Sequence, residues 1–201
     1  MKIGGVAMKP QESDTNRITP EPLAIIEAVV NTRYGRAHAD EWATPAHLQD
    51  WLLHHQLLAS EIPLTKGDQR RMIEAREALR SLLGSNNAMP LATEHLETLN
   101  HSARYAPVVV HFRQDGLADL VPDSEGIDGV ISRLLAIVYT AMRDGTWIRL
   151  KICRNVPCEK AFYDSSKNHS GSWCSMAKCG SRSKARAYRQ RQHKQEQLET
   201  I

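Results

Sequence analysis

No cysteine occurs in the first 152 residues of this 201-residue chain. All four lie between residues 153 and 179. Aromatic residues are scarce, at 5%, but a 41% hydrophobic fraction suffices for one domain, or one domain plus a small module. No apolar run approaches the ~20 residues that span a bilayer. The opening MKIGGVAMKPQESDTNR lacks the apolar h-region of a secretory signal. A cytoplasmic protein is expected, in which thiols stay reduced and clustered cysteines favour metal over disulfides. A Gly-rich phosphate loop and a nucleophile elbow are also missing. His38, His47, His54, His55, His95, His101 and His111 are scattered without ligand spacing. With no catalytic constellation, the expectation is not an enzyme. There is no internal repeat.

What is present is concentrated near the C-terminus. Cys153-x4-Cys158 is followed fifteen residues later by Cys174-x4-Cys179. Two matched pairs of thiolates meet the need of a structural Zn²⁺ for a closed tetrahedral shell. Each pair can fill two adjacent corners from one tight turn, and the intervening segment is long enough to fold back. Four thiolates leave no position for water, which argues against a catalytic metal. His169 is the alternative ligand between the pairs, and oxidation sensing the alternative role. So small a segment has little core of its own, so metal would supply much of its folding energy.

The formal net charge of +3 hides an asymmetry. Residues 149–194 hold twelve Lys/Arg against two Asp/Glu, a net +10, and the remainder carries −7. The segment after Cys179 reads GSRSKARAYRQRQHK. A helix from about Ser181 places Arg182, Arg186 and Arg189 on one face, at i, i+4 and i+7. These three are the first candidates for DNA; Lys184, Arg191 and Lys194 are secondary phosphate contacts. Ala185 and Tyr188 are expected to pack on the zinc knuckle, Gly180 to permit the turn out of the last ligand, and Ser181 to cap the helix. Trp173 and Phe162 read as miniature core. Asp164 is expected to accept hydrogen bonds from loop amides or to orient a ligand loop.

Upstream, the pattern is helical. Thr19-Pro20-Glu21 is a helix-start signal, followed by Leu23, Ile26 and Val30 on one face and Gly35 as a stop. Thr44-Pro45 repeats the signal before Leu48, Trp51 and Leu52. A third helix opens near Thr65 and carries Met72, Ala75, Leu79, Leu82 and Leu83; a short fourth covers Thr93 to Ala103. Residues 107–112 and 117–121 read as a β-hairpin turning on Asp115-Gly116. Gly126 to Met142 returns to helical period, and Trp147 to Cys153 alternates as a strand. The fold class expected is mainly α: a disordered N-terminus (1–18), a helical domain with one β-hairpin (19–146), and a small C-terminal four-cysteine zinc module ending in a basic helix (147–197).

The motif Cys153-x4-Cys158-x3-Phe162-x-Asp164-x-Ser166-x-Asn168, then Trp173-Cys174-Ser175-Met176-x2-Cys179-Gly180-x-Arg182-x-Lys184, resembles the CGNR zinc finger. That module typically follows the helical ABATE domain of a stress-induced transcription regulator family. Asn31-Thr32, Leu48 to Trp51-Leu52, the Arg76 to Leu83 stretch and the hairpin are compatible with ABATE. The resemblance implies a bacterial protein, one bound zinc and DNA binding through the C-terminal module. Two departures stand out. The family tetrad Cys-Gly-Asn-Arg is here Cys179-Gly180-Ser181-Arg182. Where the family carries two arginines before Trp-Cys, this chain has Ser170-Gly171-Ser172. Loss of those charges implies weaker phosphate contact, about one unit of salt slope per contact.

The reading is a zinc-dependent DNA-binding regulator whose helical domain serves as a sensor, for a small-molecule effector not named by the sequence, or as the unit of a homodimer. The alternatives are an adaptor whose basic helix docks on an acidic protein, or an RNA binder using Trp173 and Tyr188 as stacking rings.

Overall fold

The structure, a computed structural model, describes residues 18–35, 38–59 and 63–199. The segment expected to be disordered falls, up to residue 17, outside the described residues. The side chain of Lys194 also lies outside the description.

Helix α1 (Leu23–Asn31) begins two turn residues later than the Thr19-Pro20 signal suggests. The reason is a second proline: Pro22 disfavours the helical region for Glu21, so the helix starts beyond it. The Thr19 hydroxyl caps nothing and donates to the Glu27 carboxylate instead. Helix α2 (Pro45–His54) opens as expected, with the Thr44 hydroxyl accepting from the His47 amide and Pro45 in the first turn. Helix α3 (Lys66–Ser85) opens on a reciprocal capping box between Thr65 and Asp68. Helix α4 (Thr93–Tyr105) leads into the hairpin β1 (Val108–Phe112) and β2 (Ala118–Pro122). Asp115 and Gly116, the latter at φ 82°, make its turn. Helix α5 (Gly126–Arg143) ends before Gly145.

One core joins these helices: Ile26, Val30, Trp42, Leu48, Leu52, Met72, Leu79, Leu83, Ile131 and Leu134 are all fully buried. Arg76 is buried among them. Its guanidinium forks onto Asp40 at 2.7 and 2.8 Å, reaches Thr32 and Glu77, and lies 5.1 Å from the Trp42 ring centroid.

The expected strand from Trp147 is shorter than its alternation suggests. Trp147–Arg149 is a 3₁₀ turn, and only β3 (Leu150–Ile152) is extended. It pairs antiparallel with β4 (Ala161–Tyr163), which the sequence reading did not foresee because three residues carry no periodic signal. Leu150, Ile152 and Ala161 belong to the same core as the helices. Beyond β4 come a π-type turn (Met176–Gly180) and helix α6 (Ser181–Glu199).

Candidate metal centre and nucleic-acid interface

The loop joining β3 to β4 carries the first cysteine pair. Its tight turn is closed by the Cys158 amide on the Asn155 carbonyl at 2.7 Å and by the Cys153 amide on the Lys160 carbonyl at 2.9 Å. The second pair brackets the start of the π-type turn, Cys174 just before its capping residue Ser175 and Cys179 within it; the Ser175 hydroxyl accepts from the Lys178 amide and the Ser175 carbonyl from the Cys179 amide. Ser175, not Ser181, therefore caps this segment. Ser181 is already helical, and its hydroxyl donates to the Met176 carbonyl.

These two turns bring the sulfurs of Cys153, Cys158, Cys174 and Cys179 within 4.8 Å of one another. Cys158 Sγ lies 3.6 Å from Cys174 Sγ, and Cys174 Sγ 3.8 Å from Cys179 Sγ. Disulfides, at about 2.05 Å, are excluded at these separations. A tetrahedron with Zn–S bonds of about 2.3 Å has edges of about 3.8 Å, so the thiols fit the zinc set. Their acidities agree. The hydrogen bond from Cys174 draws the Cys153 thiol down to about 5, and the same bond, with burial and neighbouring charge, drives Cys174 far up. Burial pushes Cys158 up. A negative charge on Cys153 is favoured and charge on Cys158 and Cys174 is opposed, an opposition that a bound dication would relieve. The buried Asn155 amide donates to Cys179 Sγ at 3.4 Å, a contact outside the ligand set that orients it. His169 is not in this cluster; its carbonyl accepts from Lys151.

Phe162, Cys153 and Cys179 form a small buried cluster with Trp173 against it. Gly180 is not held at an unusual backbone angle; it leaves room for the Met176 side chain, which would have to shift for any larger residue. A Cβ there would collide with the Met176 sulfur and meet the Trp173 ring at 3.6 Å. Asp164 is fully buried and accepts from the Ser166 and Gly171 amides at 3.1 and 2.7 Å. It also pairs with the buried ammonium of Lys151 at 2.8 Å. Burial opposes its charge, but the bonds from Lys151, Ser166 and Gly171 outweigh that and bring its carboxyl to about 2.

Asparagines and one arginine fasten the centre to the helical body, and sequence reasoning missed most of them. The Asn31 amide takes both partners from Ala161, its nitrogen donating to the carbonyl at 3.1 Å and its oxygen accepting from the amide at 2.8 Å. Asn86 donates to Trp147 and Leu150 carbonyls, and Asn87 to Ile152 and Ser172 carbonyls. Arg80 spans the carbonyls of Val30, Arg33 and Glu159. A cavity of about 440 Å³ lies along this seam, lined among others by Tyr34, His38, Lys160, Lys178 and Arg182.

Helix α6 stands out from this base. Arg182, Lys184, Arg186, Arg189 and Arg191 are all exposed. Ala185 and Tyr188 do not pack on the knuckle: Ala185 is exposed and Tyr188 is 58% exposed, its hydroxyl accepting from Gln192. From 181 to 192 only Ser183 is half-buried and the other residues are exposed.

A helical body with a four-thiol centre fastened to it and an exposed basic helix beyond has the build of a zinc-finger module behind a helical domain. Two family models match accordingly: the CGNR zinc finger over residues 149–192, and ABATE, described as "Putative stress-induced transcription regulator", over residues 25–142. The chain belongs to the ABATE family and carries the CGNR zinc finger behind it. No curated protein matches it. Among the described residues, no helix is long and apolar enough to cross a membrane.

Proposed function

We propose that this chain is a bacterial, cytoplasmic, zinc-dependent regulator that binds DNA through α6. The observation that carries the reading is a basic helix of 19 residues, about 28 Å long, that follows the four-cysteine cluster and exposes Arg182, Lys184, Arg186, Arg189 and Arg191. Cys153, Cys158, Cys174 and Cys179 hold Zn²⁺, which when bound neutralises the crowded thiolates and ties the two loops together. The chain's own residues do the rest. Asn155 and Phe162 shape the centre, the Lys151–Asp164 pair holds the second loop, and Arg182, Arg186 and Arg189 present one cationic face to the duplex. Lys184 and Arg191 lie about half a turn away around the helix, and with Lys194 they supply secondary phosphate contacts. The seam cavity is the place for an effector to alter how the body holds the centre.

One observation favours an acidic protein partner over DNA: the cations of α6 occupy opposite faces, and Ser170-Gly171-Ser172 adds none beside the metal. Binding of zinc-loaded protein to a random duplex pool across a salt series separates the two. A sequence motif retained at physiological salt is expected, with a log–log salt slope between about −3, from the three arginines alone, and about −5, with the secondary contacts added. Arg186→Ala with Arg189→Ala should reduce that slope by about two without zinc loss. Binding that vanishes with salt and prefers no sequence would return the helix to the adaptor reading.

A further inference from the structure

The outer edge of the hairpin points to a second copy of this chain. β1 and β2 form a two-stranded sheet in which Val108 faces Pro122, Val110 faces Leu120 and Phe112 faces Ala118. The Arg113 amide donates to the Leu117 carbonyl at 2.8 Å, and the Asp123 amide to the Pro107 carbonyl at 3.1 Å. Odd-numbered residues of β1 therefore direct their backbone groups at β2, and the alternation of an antiparallel ladder turns those of Val108, Val110 and Phe112 outward. No other described element pairs with that edge. Their side chains share one face and are open to solvent, Val110 at 57% and Phe112 at 75% exposure.

Edge strands of monomeric proteins are blunted by lysine, proline or a bulge. β1 carries none of these over Val108–Phe112, whereas β2 has Pro122, which lacks an outward N–H, on its own edge. The β1 edge is also complementary to itself. Antiparallel pairing about a twofold at Val110 sets Val110 against its own copy and Val108 against Phe112. Every outward group then meets a partner: two hydrogen bonds per facing pair, about six in all. The side chains give valine–valine and valine–phenylalanine pairs, which stabilise antiparallel sheets, and oppose no like charges.

We propose that β1 joins two copies of this chain into a dimer with a continuous four-stranded sheet. Neither zinc nor DNA is needed for this contact, so it stands or falls apart from the proposed function. Sedimentation equilibrium of the full chain tests it. Wild type is expected as a dimer at micromolar concentration. Val110→Lys and Val110→Glu should each weaken dimerisation by about tenfold or more, because like charges then meet at the twofold. Their exposed position leaves the monomer folded, as circular dichroism would verify. An equimolar mixture of the two variants should dimerise again through the Lys–Glu pair. A monomeric wild type, a dimer indifferent to Val110→Lys, or a mixture that stays monomeric each overturns the proposal. A wild type that dimerises only after removal of residues 1–17 overturns it too, since the edge would then belong to the chain's own N-terminus.

Discussion

Lys151 and Asp164 form an ion pair with almost no solvent contact, at 3% and 0% side-chain exposure. Removing one partner leaves the other charged and buried, at a cost of about 3–5 kcal/mol. Lys151→Met should therefore lower urea stability at pH 7 by that order. The pair also sets an acid limit. The Asp164 carboxyl lies at about 2 in the fold, below its usual value of 3.8. Its stabilisation is complete above the unfolded value and is lost as pH falls through the folded one. Urea midpoints should thus decline between pH 4 and 2, and Asp164→Asn should lower stability at pH 7 while removing its share of that decline. An unchanged acid profile in the variant would assign the decline to other groups. Asp164 as acceptor of loop amides was readable from its place between the cysteine pairs. Lys151 was not, because a lysine in a short strand ordinarily faces water, and only the folded-back loop supplies its three oxygen partners. Gly171 was unreadable for a related reason: a Cβ there would stand 2.7 Å from the Asp164 carboxylate, a clash visible only in three dimensions.

At the scale of elements, what could be read locally was legible and what depends on distant partners was not. Thr44-Pro45, the Thr65–Asp68 box and the Asp115-Gly116 turn satisfy their backbone within a few residues, so sequence marks them. The asparagines that grip the strand pair β3–β4 depend on partners 60 to 130 residues away, and the strands themselves are too short to carry a periodic signal. The basic helix was legible in its charge, but the expected packing of Ala185 and Tyr188 failed because helical period says which residues share a face, not whether anything faces them. Its isolation has a dynamic consequence. A helix without tertiary contacts is marginal in water even at this length. Its amides from 184 to 192 should exchange with deuterium within seconds in free protein, while those of α3 and α5 stay protected. Cognate DNA should slow the α6 amides by at least about tenfold. Strong protection in free, monomeric protein would mean that α6 docks on the body and the interface is covered.

For the whole molecule, the core does not stop where the cysteines begin. Leu150, Ile152 and Ala161 pack with the helices, and Asn31, Asn86 and Asn87 tie the same strands by hydrogen bonds. The cysteine-bearing loops hold together through a far smaller cluster of Phe162, Trp173 and the cysteines themselves. Stability should therefore divide at the strand pair. On the proposed zinc reading, Cys174→Ser removes one of four thiols and should leave a site too weak to retain zinc at nanomolar free metal, measurable with a chromogenic chelator. Residues from about 164 to 180 should then become sensitive to trypsin at Lys167 and Lys178, and far-UV ellipticity should fall by whatever α6 contributes in the intact protein. The body, with β3, β4 and the Lys151–Asp164 pair in place, should keep its helical core, and its unfolding free energy should fall only by the few kcal/mol of the hydrogen bonds that Lys151, Asp164 and Asn87 lose to the second loop. Simultaneous collapse of body and tail would show that the centre stabilises the whole chain, and an unchanged protease pattern would remove the metal from the fold altogether. The expected middle result leaves a stable helical body carrying an unfolded basic tail, so zinc would control whether α6 is presented in one orientation.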